Sequence, residues 1–148
     1  MREIRIALLD MNNNKKNQGF KNIREISESF KANSEEQISI TTFDIRHLNE
    51  MPKLQDFDIF ISSGGPGNPH REGHEWEGKF ADLLDEVFNH NKTSGDKKYM
   101  FLICHSFQIA SIHWKLGNIC ERKSYSFGVM PIHKSVDGEN DFLLKNLP

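Results

Sequence analysis

Cys104 ends an apolar run, Tyr99 to Ile103, and begins a helix-like segment, in the order Phe101-Leu102-Ile103-Cys104-His105-Ser106-Phe107-Gln108. A tight strand-to-helix turn exposes such a sulfur at the sheet edge, and the positive end of the helix favours thiolate over thiol. Thiolate is the nucleophilic form, so the position suits covalent catalysis. A lone cysteine in an apolar run is more commonly a buried structural thiol, and this pattern alone leaves both readings open. Upstream, Ser62-Ser63-Gly64-Gly65-Pro66-Gly67 follows a second short apolar run, Phe57 to Ile61. Glycines there let backbone N–H groups approach a ligand closely. Such donors can stabilise the oxyanion of a tetrahedral intermediate; a plain glycine turn is the alternative.

Other residues with chemical capacity carry weaker patterns. His70-Arg71-Glu72 spells His-x-Glu, and His70, His74 and Glu77 could share one side of a helix start. A solvated helix N-terminus with an acid-rich first turn explains them as well, and no metal or other cofactor is expected. His133 reads as an exposed or hydrogen-bonded strand histidine rather than a base. Cys120 reads as an inert buried thiol, and Trp76 and Trp114 as packing residues. Lys15 and Lys16 lie in an Asn-rich tract that is either a solvated loop or the rim of a site.

The elements that must position these residues follow from periodicity. Glu3 to Leu9 is nearly continuous apolar and reads as a buried strand ended by Asp10. Met11 to Gln18 reads as a loop. Phe20, Ile23, Ile26 and Phe30 recur at helical spacing, as do Phe80, Leu83, Leu84, Val87 and Phe88. Gln37 to Ile45 alternates as a strand does. Phe57 to Ile61 and Tyr99 to Ile103 supply two more strands, with a polar turn at Lys92 to Lys97. His105 to Leu116 reads as a helix stopped by Gly117, Asn118 to His133 as a hairpin, and Asp137-Gly138 as a turn. Strands alternating with helices predict a parallel sheet covered on both faces. Ligands of such sheets bind beyond the C-terminal strand ends, where both the glycine loop and Cys104 lie.

The 148 residues fit one domain, and 36% hydrophobic with 27% charged residues is an ordinary globular balance. A net charge of −2 without long blocks of one sign argues against a nucleic-acid partner. No apolar run approaches the roughly 20 residues of a membrane helix, and the N-terminus does not read as a signal peptide. Two cysteines without a C-x-x-C pairing argue against a disulfide framework, so a reducing cytoplasm is the expected location.

Together the two motifs resemble the class I glutamine amidotransferase family, which shows a strand, Ser-Gly-Gly-Pro-Gly, a helix, and a strand leading to Gly-x-Cys-x-Gly-x-Gln. Here the matching stretches are Ser63-Gly64-Gly65-Pro66-Gly67 and Cys104-His105-Ser106-Phe107-Gln108. Ser126-Phe127-Gly128-Val129 and the segment Asp141 to Pro148 also look like the family, above all like the amidotransferase domain of GMP synthase. The resemblance implies a three-layer flavodoxin-like α/β fold, mostly parallel, with a small antiparallel hairpin. It implies that Cys104 attacks the glutamine side-chain amide, that the N–H groups of Gly65 and His105 form the oxyanion hole, and that Gln108 helps hold glutamine. The product would be ammonia, passed to a separate acceptor enzyme. Homoserine acyltransferase-like or γ-glutamyl hydrolase chemistry, and a non-catalytic binding or regulatory module, are the rival readings.

The chain departs from the pattern at three places. Leu102 and Ser106 replace the glycines that flank the family's nucleophile; non-glycine elbows also occur in the homoserine acyltransferases. The family's His-x-Glu pair, the base and its orienting carboxylate, has no counterpart after Cys104. The expectation is a domain shortened before that pair, as a fragment or naturally, and therefore an incomplete triad.

Overall fold

Runs of β-branched and apolar residues form the strands. In the computed structural model, which describes residues 3–121, 123–124, 128, 131 and 133–147, these are β1 (Ile4–Asp10), β2 (Ile38–Asp44), β3 (Ile59–Ser62) and β4 (Tyr99–Leu102). They form one parallel four-stranded sheet in the order β2-β1-β3-β4. That order is consistent with a flavodoxin-like sheet, whose direction of winding reverses between β1 and β3. The helices among the described residues are α1 (Gln18–Asn33), α2 (Glu75–Thr93), α3 (His105–His113) and the short α4 (Val136–Asn140), with a 3-10 turn at Leu54–Asp56.

Alternation along the strands divides the apolar residues between two faces. Ala7, Leu9 and Phe60 point to one side and pack with Trp76, Phe80, Leu83, Leu84 and Val87 of α2 and Ala110 of α3. Ile6, Leu8 and Ile38 point to the other, where Phe20 and Ile23 of α1 cover them. Helices thus lie on both faces. At the N-terminal edge of the sheet the Asp58 carboxylate takes the Arg5 guanidinium and the Lys98 ammonium, at 3.2 and 3.1 Å. Asp85 ties α2 to α3 by accepting from Trp114 Nε1 at 3.1 Å and lying 2.9 Å from His113 Nε2.

Several sequence expectations are corrected. The apolar stripe of α1 is only half used: Phe20 and Ile23 pack, whereas Ile26 and Phe30 are exposed. Gly117 does not end α3. The helix stops at Trp114, and Lys115 takes the left-handed conformation (φ 56°) that glycine usually supplies. Its N–H bonds Ile112 O and that of Leu116 bonds Ser111 O, the paired closure of a Schellman end. Asp137 and Gly138 belong to α4, where the Ser135 hydroxyl accepts from Gly138 N–H, rather than to a turn. The hairpin expected over Asn118 to His133 falls in part on residues outside the described set, as does Ser126-Phe127-Gly128-Val129 apart from Gly128. The described residues of that stretch form no strand. Cys120, expected to be buried there, is exposed.

Candidate active site

The C-terminal ends of β1, β3 and β4 open into a cleft of about 730 Å3. Its walls are the loop after β1 with the start of α1 (Asn12, Lys15, Lys16, Asn17), the glycine loop after β3 (Ser63 to Pro66), and Ile103 with Cys104. Lys15 and Lys16 therefore rim the cleft, the second of their two sequence readings.

Cys104 is exposed and sits between β4 and α3 at φ 53°, ψ −106°. Positive φ is costly for a residue with a Cβ and persists only where the surroundings enforce it. The enforcement is visible. Ile103 N–H bonds Ser62 O at 3.0 Å, and Gln108 N–H closes the first turn of α3 on Cys104 O at 3.0 Å. The Ser106 hydroxyl, fully buried, accepts from Ile103 N–H at 3.0 Å and lies 3.2 Å from Ser62 O. Ser106, at a position where glycine was expected, thus ties the elbow to β3. Leu102 packs against the buried cluster beside α2 and α3, so its bulk lies away from the turn.

The glycine loop is fastened at both ends. Ser63 N–H bonds Leu9 O at 3.0 Å, and Ser63 Oγ accepts from Met11 N–H at 3.0 Å and donates to Gly64 O at 2.8 Å. Asn12, buried, reaches Asp10 Oδ1 at 2.7 Å and Ser63 Oγ at 3.4 Å through its amide nitrogen. A Cβ on Gly64 would lie 3.2 Å from Cys104 Cβ, and one on Gly65 only 2.2 Å from Met11 O. Gly64 therefore borders Cys104, and Gly65 is required where the loop crosses the backbone after β1. Among the described residues, neither Gly65 N–H nor His105 N–H donates to a protein acceptor.

The remaining candidates separate. His105 is 2% exposed, and its Nε2 is buried without a partner among the described residues. Burial above all, then the Arg46 charge, pushes this imidazole below its ordinary range, with Glu72 opposing. Gln108, one helical turn beyond Cys104, does not line the cleft. Nor does any of the seven histidines, His70 and His133 included. His133 is exposed. Glu77 is occupied otherwise: its carboxylate accepts from the N–H groups of Glu72, Gly73 and His74 at 3.0–3.2 Å. Burial raises its pKa, but those amides and the His74 charge together hold it below the usual value. No three ligating side chains converge among the described residues.

No family profile, curated protein or solved structure matches the chain. The site is therefore read from its own geometry. Arg46, just past β2, is the functional candidate that motif reading passed over. A cation immediately beyond the C-terminal end of a parallel strand was the available signal.

Proposed function

We propose that the chain is a class I glutamine amidotransferase-type domain whose nucleophile is Cys104. The observation that carries this reading is the cysteine's backbone: a left-handed elbow between a parallel strand and a helix, exposed beside a glycine loop. Strain at such a point stands the sulfur clear of the sheet, the arrangement that nucleophile elbows use. The thiolate would attack the side-chain carbonyl of glutamine, forming a C–S bond and a tetrahedral oxyanion received by Gly65 and His105 N–H. Collapse breaks the C–N bond and releases ammonia, which must acquire a proton as it leaves. Water then converts the γ-glutamyl thioester to glutamate. Ammonia would pass to a separate acceptor enzyme.

The proton is the weak link. None of the seven histidines lines the cleft, and loss of one member of a catalytic unit removes most of the acceleration. This favours a domain whose Cys104 forms a carbon–sulfur bond with activated electrophiles but turns glutamine over poorly. Purified residues 1–148 should release little or no glutamate from glutamine. A chloroketone analogue of glutamine, whose chloride leaves without a proton, should label Cys104. Iodoacetamide should modify Cys104 faster than Cys120, a comparison that exposure does not decide because both thiols are exposed. Equal labelling of the two by either reagent would refute the nucleophile. Robust glutamate release that vanishes in Cys104→Ala would refute the incomplete triad.

A further inference from the structure

Arg46 reaches across three strand ends. From the loop after β2 its Nη1 donates to Met11 O, after β1, at 3.2 Å, and to Pro66 O, after β3, in a short contact. The guanidinium lies 4.9 Å above the centre of the Trp76 ring, at the start of α2. Its Nη2 borders Gly67, where an added Cβ would lie 3.5 Å away, and Gly67 has φ 106°. Its Nε is buried without a partner among the described residues. The carbonyl it holds on β1's side, Met11 O, is the atom against which Gly65 is pressed. The carbonyl on the other side belongs to the residue after Gly65. One planar cation thus brackets Gly65 from both directions. Beyond it, the Glu77 carboxylate holds the amides of Glu72, Gly73 and His74, closing the far end of the same loop.

We infer that Arg46 is a positioning residue that sets the glycine loop, and with it the Gly65 N–H, at the distance from Cys104 that a tetrahedral oxyanion requires. The inference rests on the acyl-transfer reading of Cys104. A guanidinium suits the task because its fixed plane can stack on an indole while its edge serves two carbonyls. A lysine keeps the charge but not the plane. Arg46 does not line the cleft that holds Cys104; its effect is exerted through the backbone.

Two reagents separate that role from simple support of the fold. Iodoacetamide alkylates a thiolate by displacing iodide and passes through no oxyanion. p-Nitrophenyl acetate acetylates it through one: the C–S bond forms, the C–O bond breaks, and p-nitrophenolate departs with the electron pair. The ratio of the two rates at Cys104, in the whole 148-residue chain, reports oxyanion stabilisation. Loss of an oxyanion donor typically costs about 10²–10³ in rate. A displaced loop should cost less, so Arg46→Met is expected to lower the ratio about ten-fold, with Arg46→Lys between it and the unaltered protein. A purely structural role would lower the melting temperature while leaving the ratio unchanged. A ratio within two-fold of the starting value in folded Arg46→Met, or in Arg46→Lys should the methionine variant not fold, overturns the assignment. If Cys104 of the unaltered protein alkylates readily but acetylates no faster than Cys120, the oxyanion hole itself fails and Arg46 has nothing to position. The two failures are therefore told apart.

Discussion

The two faces of the sheet are built to different degrees. On the side of α2 and α3, Ala7, Leu9 and Phe60 are completely buried, and the rings of Phe57 and Phe60 meet at 6.2 Å. On the side of α1, cover extends over β1 and β2 but not over the other end of the sheet. Tyr99 and Phe101 of β4 are 62% and 63% exposed there, and Ile26 and Phe30 on α1 are exposed too. The strained Cys104 elbow faces the cleft beside α1 but leads into α3 on the finished side, where that helix is locked to α2 through Asp85. The contrast teaches where the free energy that tolerates a left-handed cysteine comes from. A dense core and a tied helix enforce the turn; a half-open face supplies no comparable restraint.

The largest effect that would break this comparison is a paired truncation. Phe60→Ala removes a ring from the closed face and should cost about 3–5 kcal/mol of unfolding free energy. Phe101→Ala, on the open face of the neighbouring strand, should change it by no more than about 0.5 kcal/mol. Urea unfolding followed by circular dichroism measures both. Equal losses would mean that the β4 face is covered after all.

That difference was only partly legible in the sequence. Apolar runs gave the strands to within two residues and helical spacing marked the two long helices without fixing their ends, because burial on a pleated or helical face leaves a period. Both chemical motifs fell at strand ends as the α/β alternation required. The period cannot say how far a helix covers a sheet, so Ile26 and Phe30 read like Phe20 and Ile23. Nor can it show that Lys115 rather than Gly117 closes α3, since that choice depends on the hydrogen bonds of Lys115 and Leu116 N–H to Ile112 and Ser111. Arg46, Asn12 and Ser106 were silent for a related reason. Each bonds a group distant in sequence, Arg46 Nη1 at Met11 O, Ser106 Oγ at Ser62 O and Asn12 at Ser63 Oγ, and such contacts follow from the assembled strand order rather than from any local pattern.

A smaller effect tests whether the site side is also the acid-sensitive side. His105 is buried with its pKa lowered by desolvation and by Arg46. The unfolded chain therefore takes up a proton near the ordinary value of 6.5 that the folded chain refuses, and stability falls as pH drops below that value. Glu77 is depressed below 4.5, so its contribution is complete above that pH and is lost as pH falls through its folded value. Both groups act in the same direction: thermal stability should decline in two stages on acidification. Glu77→Gln should remove the lower stage and leave the upper one. His105→Phe, which fills a similar volume without a titrating nitrogen, should remove the upper. A melting temperature independent of pH between 6.5 and 4.5 would contradict a neutral buried His105.

The smallest effect concerns the open face itself. Among the described strands β4 lies at the edge, reading Tyr99-Met100-Phe101-Leu102, with no charge within it to discourage pairing. Its outer backbone groups and the exposed rings of Tyr99 and Phe101 form the combination that natural edges usually blunt with lysine, proline or a bulge. Here the nearest lysine, Lys98, is withdrawn into its bond with Asp58 at 3.1 Å and is 4% exposed. Exposed apolar area of this kind associates weakly and without a unique geometry. The expected behaviour is a concentration-dependent rise in sedimentation coefficient at pH 7. Lys substitutions at Tyr99 and Phe101 should abolish it, because ammonium groups on that face repel their counterparts and stay hydrated. Since both side chains are already mostly in water, the double variant should keep its unfolding free energy within about 1 kcal/mol, twice the usual surface effect. It should also keep its Cys104 alkylation rate, since the elbow is held from the opposite face by Ser106 and α3. Association that persists unchanged would place the contact elsewhere, on the exposed Phe142, Leu143 and Leu147. Association that ends together with Cys104 reactivity would show that the open face supports the elbow, and the contrast between the two faces would fail.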